Sequence, residues 1–201
     1  MPHRLRRIDE AAACSEQGAD ALAEVKLHGR IAYEGGMLRV HRDIVRCPDG
    51  HIAYREFIRH PGAVMVIPML DGDHVLLERQ FRYPLARTFI EFPAGKIDPG
   101  EAPLDCARRE LLEETGYRAH DWIHLGGFNN AIGYSDERID LFVARSLVQE
   151  TTRRDPGEVL ELFSVRWREL DQWVRDGRVT DGKTIIGICW LSRLLAGDEP
   201  A

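Results

Sequence analysis

A short glutamate-rich segment constrains the fold of this chain more than any other stretch. Residues 95–117 read GKIDPGEAPLDCARRELLEETGY. The apolar residues recur three and four positions apart, at Leu104, Ala107 and Leu111. This spacing predicts a helix over roughly 102–115 with one face packed on a sheet, because positions so spaced share one side of a helix. Gly116 suits the left-handed residue that ends such a helix.

Three glutamates lie beside that apolar stripe. Glu110, Glu113 and Glu114 are also three and four positions apart, so a helix brings their carboxylates to one face. Like charges so placed repel by roughly a few tenths of a kcal/mol per pair, and a single nearby arginine, Arg109, cannot neutralise all three. A solvated charged face and a divalent-cation site both fit this pattern. Mg²⁺ prefers hard oxygen ligands and completes its shell with water and phosphate oxygens.

The spacing of the whole segment decides between the two interpretations. Gly95 is followed after five residues by Glu101, and after seven more by RELLEETGY at 109–117. This arrangement matches the Nudix box GX5EX7REUXEEXGU, in which U is bulky and apolar or aromatic. Seven fixed identities and two apolar positions occur by chance on the order of 10⁻⁸ per starting point. The chain therefore resembles the Nudix hydrolases, which cleave a nucleoside diphosphate linked to a further group X.

The resemblance implies a fold and a metal site. The fold class is α/β, a Nudix-type α/β/α sandwich around a mixed sheet with an N-terminal β extension. A loop–helix–loop element would hold Mg²⁺, or Mn²⁺ in its place, against a pyrophosphate. The implied metal ligands are the Ala94 carbonyl, Glu110, Glu113 and Glu114, and Glu113 is also expected to be catalytic. Residues expected to shape and orient the site are Gly95, Glu101, Arg109 and Gly116.

Further segments resemble the ADP-ribose pyrophosphatase branch of this family. They include VLLERQFRY, FIEFPAGKID and RVHRDIVRCPDGHIAYREFIRHPGAV, and the resemblance covers roughly residues 30–195. It implies hydrolysis of ADP-ribose, or a related ADP-sugar, to AMP and a sugar phosphate. The implied substrate-binding residues are Arg55, Arg82, Glu91 and Glu137, the arginines being suited to bidentate phosphate contacts. One residue departs from the branch, since Ile132 stands where a proline is usual, which leaves the preferred sugar open.

The general base and the reaction have open alternatives. In this branch the base lies on an acidic loop, and RRDPGEVLELF supplies Asp155, Glu158 and Glu161. We predict Glu158, because it precedes a strand-like apolar run. The substrate is alternatively another nucleoside diphosphate derivative, such as a GDP-sugar or a dinucleotide. A different alternative is a Nudix-fold sensor that binds a nucleotide without cleaving it; such proteins often lack a box glutamate, and none is missing here.

Short alternating segments predict strands in the rest of the chain. Two or three N-terminal strands are expected in EVKLHGRIAYEG, MLRVHRDIV and HIAYREFIR, and core strands in AVMVIPML, HVLLERQFRY, TFIEFPAG, WIHLGGF and RIDLFVARSL. Two C-terminal helices are expected in VRWRELDQWVRDG and GKTIIGICWLSRLLA. We expect residues 1–58 to form an N-terminal extension that dimerises, with residues 1–22 weakly ordered, and residues 59–201 to form the Nudix domain. Arg55 resembles a residue that reaches the partner's site, which implies a homodimer.

Composition limits the partners and the compartment. The net charge of −6 and pI near 5.8 argue against a nucleic-acid backbone as the partner, because phosphate binding needs a basic surface. The basic N-terminus lacks the apolar run of a secretory signal, and no apolar run is long enough to cross a membrane. The four cysteines are far apart, which indicates reduced thiols. We therefore expect a cytoplasmic protein whose partner is a small-molecule nucleoside diphosphate-sugar.

Overall fold

The fold divides into two compact units. The computed structural model describes residues 20–152, 154, 157 and 159–197. One unit lies within Met1–Phe57 and the other within Ile58–Ala201. The glutamate-rich helix lies in the second unit. None of the helices in the described ranges has the length and apolar character needed to cross a membrane.

The first unit is a small antiparallel sheet. Its strands are β1 (Val25–Glu34), β2 (Arg39–Arg46) and β3 (Ile52–Ile58), in the order β1-β2-β3. Few of its side chains are buried, Asp43 and Val45 among them. Many large apolar side chains are instead exposed: Leu22, Val25, Leu27, Ile31, Tyr33, Met37, Leu38, Ile52 and Tyr54. A sheet of three short strands alone buries little apolar surface, and this one leaves much of it open to solvent.

The second unit contains two further sheets. Their strands are β4 (Ala63–Pro68), β5 (His74–Arg82), β6 (Arg87–Glu91), β7 (Ala94–Lys96), β8 (Tyr117–Asn129), β9 (Arg138–Gln149) and β10 (Leu160–Arg166). One sheet has the order β7-β4-β9-β8 and is mixed, because β4 and β9 are parallel while the other pairs are antiparallel. The other sheet, β10-β5-β6, is antiparallel.

Helices cover both faces of the mixed sheet. They are α1 (Pro103–Glu110), continued by a π-helical turn (Leu111–Thr115), α2 (Trp167–Arg175) and α3 (Gly182–Ala196). Strand β4 is buried on both sides, which is why it reads as an unbroken apolar run. Its Val64 and Val66 pack in one cluster with α1, and its Met65 and Ile67 pack in another with α3. This layering confirms the predicted α/β/α sandwich around a mixed sheet.

The glutamate-rich helix is less regular than predicted. The expected helix over roughly 102–115 is present, but its last five residues form a π-helical turn. The Thr115 hydroxyl donates to the Leu111 carbonyl within that turn. Gly116 then takes the left-handed conformation, with a φ of 73°, and ends the helix as expected. Strand β7, which begins the box, lies beside β4 at the edge of the mixed sheet.

Candidate active site

The first metal-ligand candidate, Glu110, lies directly against Gly95. A Cβ atom placed on Gly95 would be only 1.9 Å from the Glu110 carboxyl carbon. Glycine therefore leaves the space that the Glu110 carboxylate takes, and a side chain at this position would displace that carboxylate. This close approach brings the helix and β7 together at the position where the box begins.

The second candidate, Glu114, is almost fully buried. Its side chain lies on the π-helical turn, and its Oε2 accepts a hydrogen bond from the Ala94 backbone N–H at 3.1 Å. The segment that Glu114 contacts is fixed from the other side, because Val66 N–H donates to the Pro93 carbonyl at 2.9 Å. Glu110 and Glu114 therefore converge on Ala94 and Gly95 at the start of β7.

Arg109 holds three of the four box glutamates together. Its Nε and Nη2 donate to Glu101, both at 2.9 Å. Its Nη1 donates to Glu110 at 2.7 Å and to Glu113 at 3.1 Å, and its Nη2 also reaches the Lys96 carbonyl at 3.1 Å. The hydrogen bonds from Arg109 lower the pKa of Glu101 to about 2. The same pairing with Glu101 raises the pKa of Arg109, so this residue organises the site as a permanent cation.

The box residues fit a hard divalent cation. Glu110, Glu113 and Glu114 supply carboxylate oxygens, and the bare Cα of Gly95 leaves the space that the Glu110 carboxylate occupies. Within the described ranges, no three acidic, histidine or cysteine side chains are already gathered as an ion-binding group. Arg109 Nη1 contacts both Glu110 and Glu113. A bound cation would take the place of that contact, while Glu101 keeps Arg109 anchored.

A second charged cluster lies on β5, β6 and α3. Arg82 donates to Glu91 through Nε at 2.7 Å and through Nη2 at 2.8 Å, and Lys183 also donates to the same carboxylate. Glu91 is only 2% exposed. Burial raises the pKa of Glu91, but hydrogen bonds and charges from Arg82 and Lys183 outweigh burial and hold it below its ordinary value. The structure thus brings two predicted substrate residues together, with Glu91 orienting Arg82.

The other predicted substrate residues lie elsewhere. Arg55 is in the first unit, where its Nε donates to Glu24 at 2.9 Å. Glu137 precedes β9 and accepts a hydrogen bond from Asn130 Nδ2 at 3.0 Å. Ile132, in the loop between β8 and β9, is 85% exposed. Each of these side chains except Ile132 is thus engaged in a polar contact within its own unit.

The predicted general base lies outside the described residues. This applies to Glu158 and to its alternative Asp155. The third alternative, Glu161, lies on β10, where it is exposed and pairs with Arg79 at 2.8 Å. Glu161 is therefore the one candidate base that the structure describes, and its side chain pairs with a surface arginine.

Two residues of this region were missed by sequence reasoning. Lys183 reaches Glu91 from the first turn of α3. Arg154 donates through Nε to the Glu114 carbonyl at 3.0 Å and through Nη1 to the Leu160 carbonyl at 3.3 Å. It thereby joins the end of the π-helical turn to the start of β10. Neither residue belongs to a local pattern, so only the three-dimensional contacts reveal them.

Comparison with known proteins identifies the family. Residues 59–186, more than half of the chain, match the family described as the NUDIX domain, and the chain belongs to the Nudix family. It is 35% identical over 161 residues to the ADP-ribose pyrophosphatase of Bacillus subtilis, which covers 79% of this chain and 87% of that protein. The same figures hold for the methanol dehydrogenase activator of Bacillus methanolicus. A crystal structure of an ADP compounds hydrolase shares the fold, with a TM-score of 0.80 at 24% identity over 89% of this chain and 97% of that one.

Proposed function

We propose that this Nudix enzyme is an Mg²⁺-dependent pyrophosphatase that hydrolyses ADP-ribose, or a related ADP-sugar, to AMP and a sugar phosphate. The observation that carries the proposal is the convergence of Glu110 and Glu114 on Ala94 and Gly95. The identity to an ADP-ribose pyrophosphatase over most of both chains supports the choice of substrate.

The box side chains and the Ala94 carbonyl would hold the metal. Bound Mg²⁺ supplies charge stabilisation for the pyrophosphate and activates water. Mn²⁺ would bind to the same oxygen ligands. Among the three box carboxylates, Glu113 is the most solvent-accessible, with its side chain 33% exposed against 13% for Glu110. Glu113 is therefore the box carboxylate most open to solvent and keeps its proposed catalytic role, and Glu158 is the proposed general base.

Arg82 would bind the diphosphate of the substrate. A guanidinium carries five N–H donors, and Glu91 accepts from the Nε and Nη2 side of the fork. The edge formed by Nη1 and Nη2 then points away from that carboxylate, and it matches two phosphate oxygens. Glu91 therefore acts through Arg82. Arg55 is the proposed second phosphate contact, and Glu137 the proposed contact to the sugar end.

A substrate panel tests the proposal. We would measure kcat/KM with Mg²⁺ for ADP-ribose, a second ADP-sugar, a GDP-sugar and a dinucleotide. We expect the ADP-sugars to be cleaved fastest. Higher kcat/KM for the GDP-sugar or the dinucleotide would favour another nucleoside diphosphate derivative as substrate, and binding without turnover of any of the four would favour a sensor.

A second candidate function follows from the dehydrogenase activator. That relative is as similar to this chain as the pyrophosphatase is, over the same length. Overall identity therefore does not separate an ADP-ribose pyrophosphatase from an activator of a methanol dehydrogenase. Adding the protein and Mg²⁺ to a purified methanol dehydrogenase distinguishes the two, since only an activator raises the rate of methanol oxidation.

We further propose that residues 1–58 dimerise the enzyme and that residues 59–201 form its catalytic domain. The sheet β1-β2-β3 exposes large apolar residues, including Ile31, Tyr33 and Met37. Such a surface is expected to be covered by a partner, and a symmetric pair of identical sheets is the simplest cover. Light scattering at micromolar concentration should give twice the 22.9 kDa mass of the chain. A monomeric mass with full activity would reject the dimer.

We place the enzyme in the cytoplasm. Cys47, Cys106 and Cys189 carry free thiols in the described ranges. Reduced cysteines are typical of a reducing compartment. Fractionation of the source cells, with detection by an antibody against the chain, tests this placement.

A further inference from the structure

The start of α3 contacts the segment that connects both halves of the candidate site. Lys183 donates to Glu91 at the end of β6. Thr184, the next residue, is fully buried, and its hydroxyl accepts a hydrogen bond from the Phe92 backbone N–H at 3.1 Å. Two residues further along, Ala94 donates to Glu114. The first turn of α3 therefore holds the short segment between Glu91, which pairs with Arg82, and Ala94, which contacts the glutamate-rich helix.

Lys183 itself is held in place at that turn. Its Nζ lies 3.0 Å from Asp181 Oδ2, and its side chain is 13% exposed. Asp181 caps α3 by accepting from the Thr184 backbone N–H at 3.0 Å. Holding a flexible lysine in one orientation, partly buried, requires such fixed partners, because a free lysine loses much rotamer entropy on ordering. Lys183 is thus directed at the Glu91 carboxylate by the helix cap.

The Glu91 carboxylate is shared by two cations. Arg82 Nη2 and Lys183 Nζ both donate to Glu91 Oε2, while Arg82 Nε donates to Oε1. Glu91 is almost fully buried, so solvent and salt screen these contacts little. Without Lys183, the contact that competes with Arg82 Nη2 for Oε2 would be lost, and the guanidinium would turn further onto the carboxylate.

We propose that Lys183 is a positioning residue for substrate binding: by sharing the Glu91 carboxylate, it keeps the Arg82 guanidinium turned toward the substrate's diphosphate. This inference rests on the proposed function of Arg82. The role is distinct from metal binding, because Lys183 contacts Glu91 and Asp181, which lie outside the box. Removing the lysine charge should therefore weaken binding of the diphosphate while leaving the affinity for the metal ion intact.

The test compares four proteins: wild type, Lys183→Met, Lys183→Arg and Arg193→Met. Arg193→Met is the matched control, since it removes a cation from the exposed last turn of the same helix. We would measure kcat and KM for ADP-ribose, Mn²⁺ affinity by electron paramagnetic resonance, and ADP affinity by calorimetry. We expect Lys183→Met to raise KM about ten-fold, the size of effect expected from disturbing one charged hydrogen bond, with Mn²⁺ affinity and kcat nearly unchanged. Lys183→Arg should keep KM close to the wild-type value, and Arg193→Met should resemble wild type.

A double-mutant cycle shows whether Lys183 acts through Arg82. If it does, Lys183→Met should add little to the loss caused by Arg82→Ala, because coupled residues are not additive. Additive losses, or an unchanged KM in Lys183→Met, would overturn the proposal. An equal loss of Mn²⁺ affinity would also overturn it, as that indicates general disruption. If Lys183→Met does not fold, the same measurements are made on Lys183→Gln.

The ADP measurement separates this inference from the proposed function. A wild type that binds ADP but cleaves no ADP-ribose would refute the proposed function alone, and weaker ADP binding by Lys183→Met would still support the positioning role. A wild type that cleaves ADP-ribose, with ADP affinity unchanged in Lys183→Met, would refute the positioning role alone. A wild type that binds no ADP rejects both.

Discussion

Replacing Gly95 by alanine should displace Glu110, a proposed metal ligand, without substituting any charged residue. The new Cβ would be 1.9 Å from the Glu110 carboxyl carbon, whereas ordinary contact begins at about 3.4 Å. The carboxylate must therefore withdraw by about 1.5 Å, well beyond the ~0.2 Å within which metal–ligand distances are normally held. A misplacement of about 1 Å at a reacting centre lowers rates about 100-fold. We expect kcat/KM to fall by about that factor.

The assay for Gly95→Ala has three parts and a matched control. Mn²⁺ binding should weaken together with kcat/KM, while the melting temperature should change little, because the displaced group is the end of a flexible side chain. Gly72→Ala is the control: its Cβ would have no described atom within 4 Å, and Gly72 is not among the positive-φ glycines. The reasoning is refuted if Gly95→Ala binds Mn²⁺ and turns over ADP-ribose as wild type does.

Four further predictions concern single side chains. Glu114→Gln keeps the shape of a buried, proposed metal ligand but removes its charge, so Mg²⁺-dependent turnover should largely disappear with the fold intact; wild-type kcat in this variant would contradict the metal assignment. Arg82→Ala should lower kcat/KM roughly ten- to hundred-fold for every nucleoside diphosphate-sugar, since a charged hydrogen bond contributes about 1.5–3 kcal/mol; Ile132→Pro, which stiffens an exposed loop, should instead change the ratio among three ADP-sugars. An unchanged kcat/KM in Arg82→Ala would reject the phosphate contact. An unchanged ratio among the ADP-sugars in Ile132→Pro would reject a role of this loop in specificity. The pKa of Glu101 is lowered from 4.5 to about 2, so its stabilising pairing is complete above the unfolded value and is lost as pH falls from about 5 to 2. Glu101→Gln should therefore flatten the pH dependence of urea unfolding in that window; an unchanged slope would contradict it.

The layers of the fold were predictable because their signals are local. The unbroken apolar run of β4 indicates a strand buried on both faces, and the structure places helices on both. The spacing of Leu104, Ala107 and Leu111 predicted the face that α1 packs on the sheet. The π-helical turn was not predictable in this way, because periodicity over one turn does not distinguish it from an α-helical turn.

The candidate site was predictable only in part. The box spacing identifies Glu110 and Glu114 as a pair on one face, but their meeting with Gly95 and Ala94 depends on how β7 docks beside the helix. Lys183 lies 92 positions from Glu91 in the chain, and no sequence period links them. Arg154 likewise contacts a backbone carbonyl, for which no side-chain pattern exists. The contacts of Lys183 and Arg154 depend on how the strands and helices are arranged in three dimensions, so they are known only from the structure.

The central claim is tested most directly by the masses of the products formed from ADP-ribose in the presence of Mg²⁺. The account predicts AMP and ribose 5-phosphate in equal amounts, formed by wild type and lost in both Glu114→Gln and a sample treated with a chelator. Intact ADP-ribose after prolonged incubation of the wild type, or products that appear equally without a divalent metal, would contradict it.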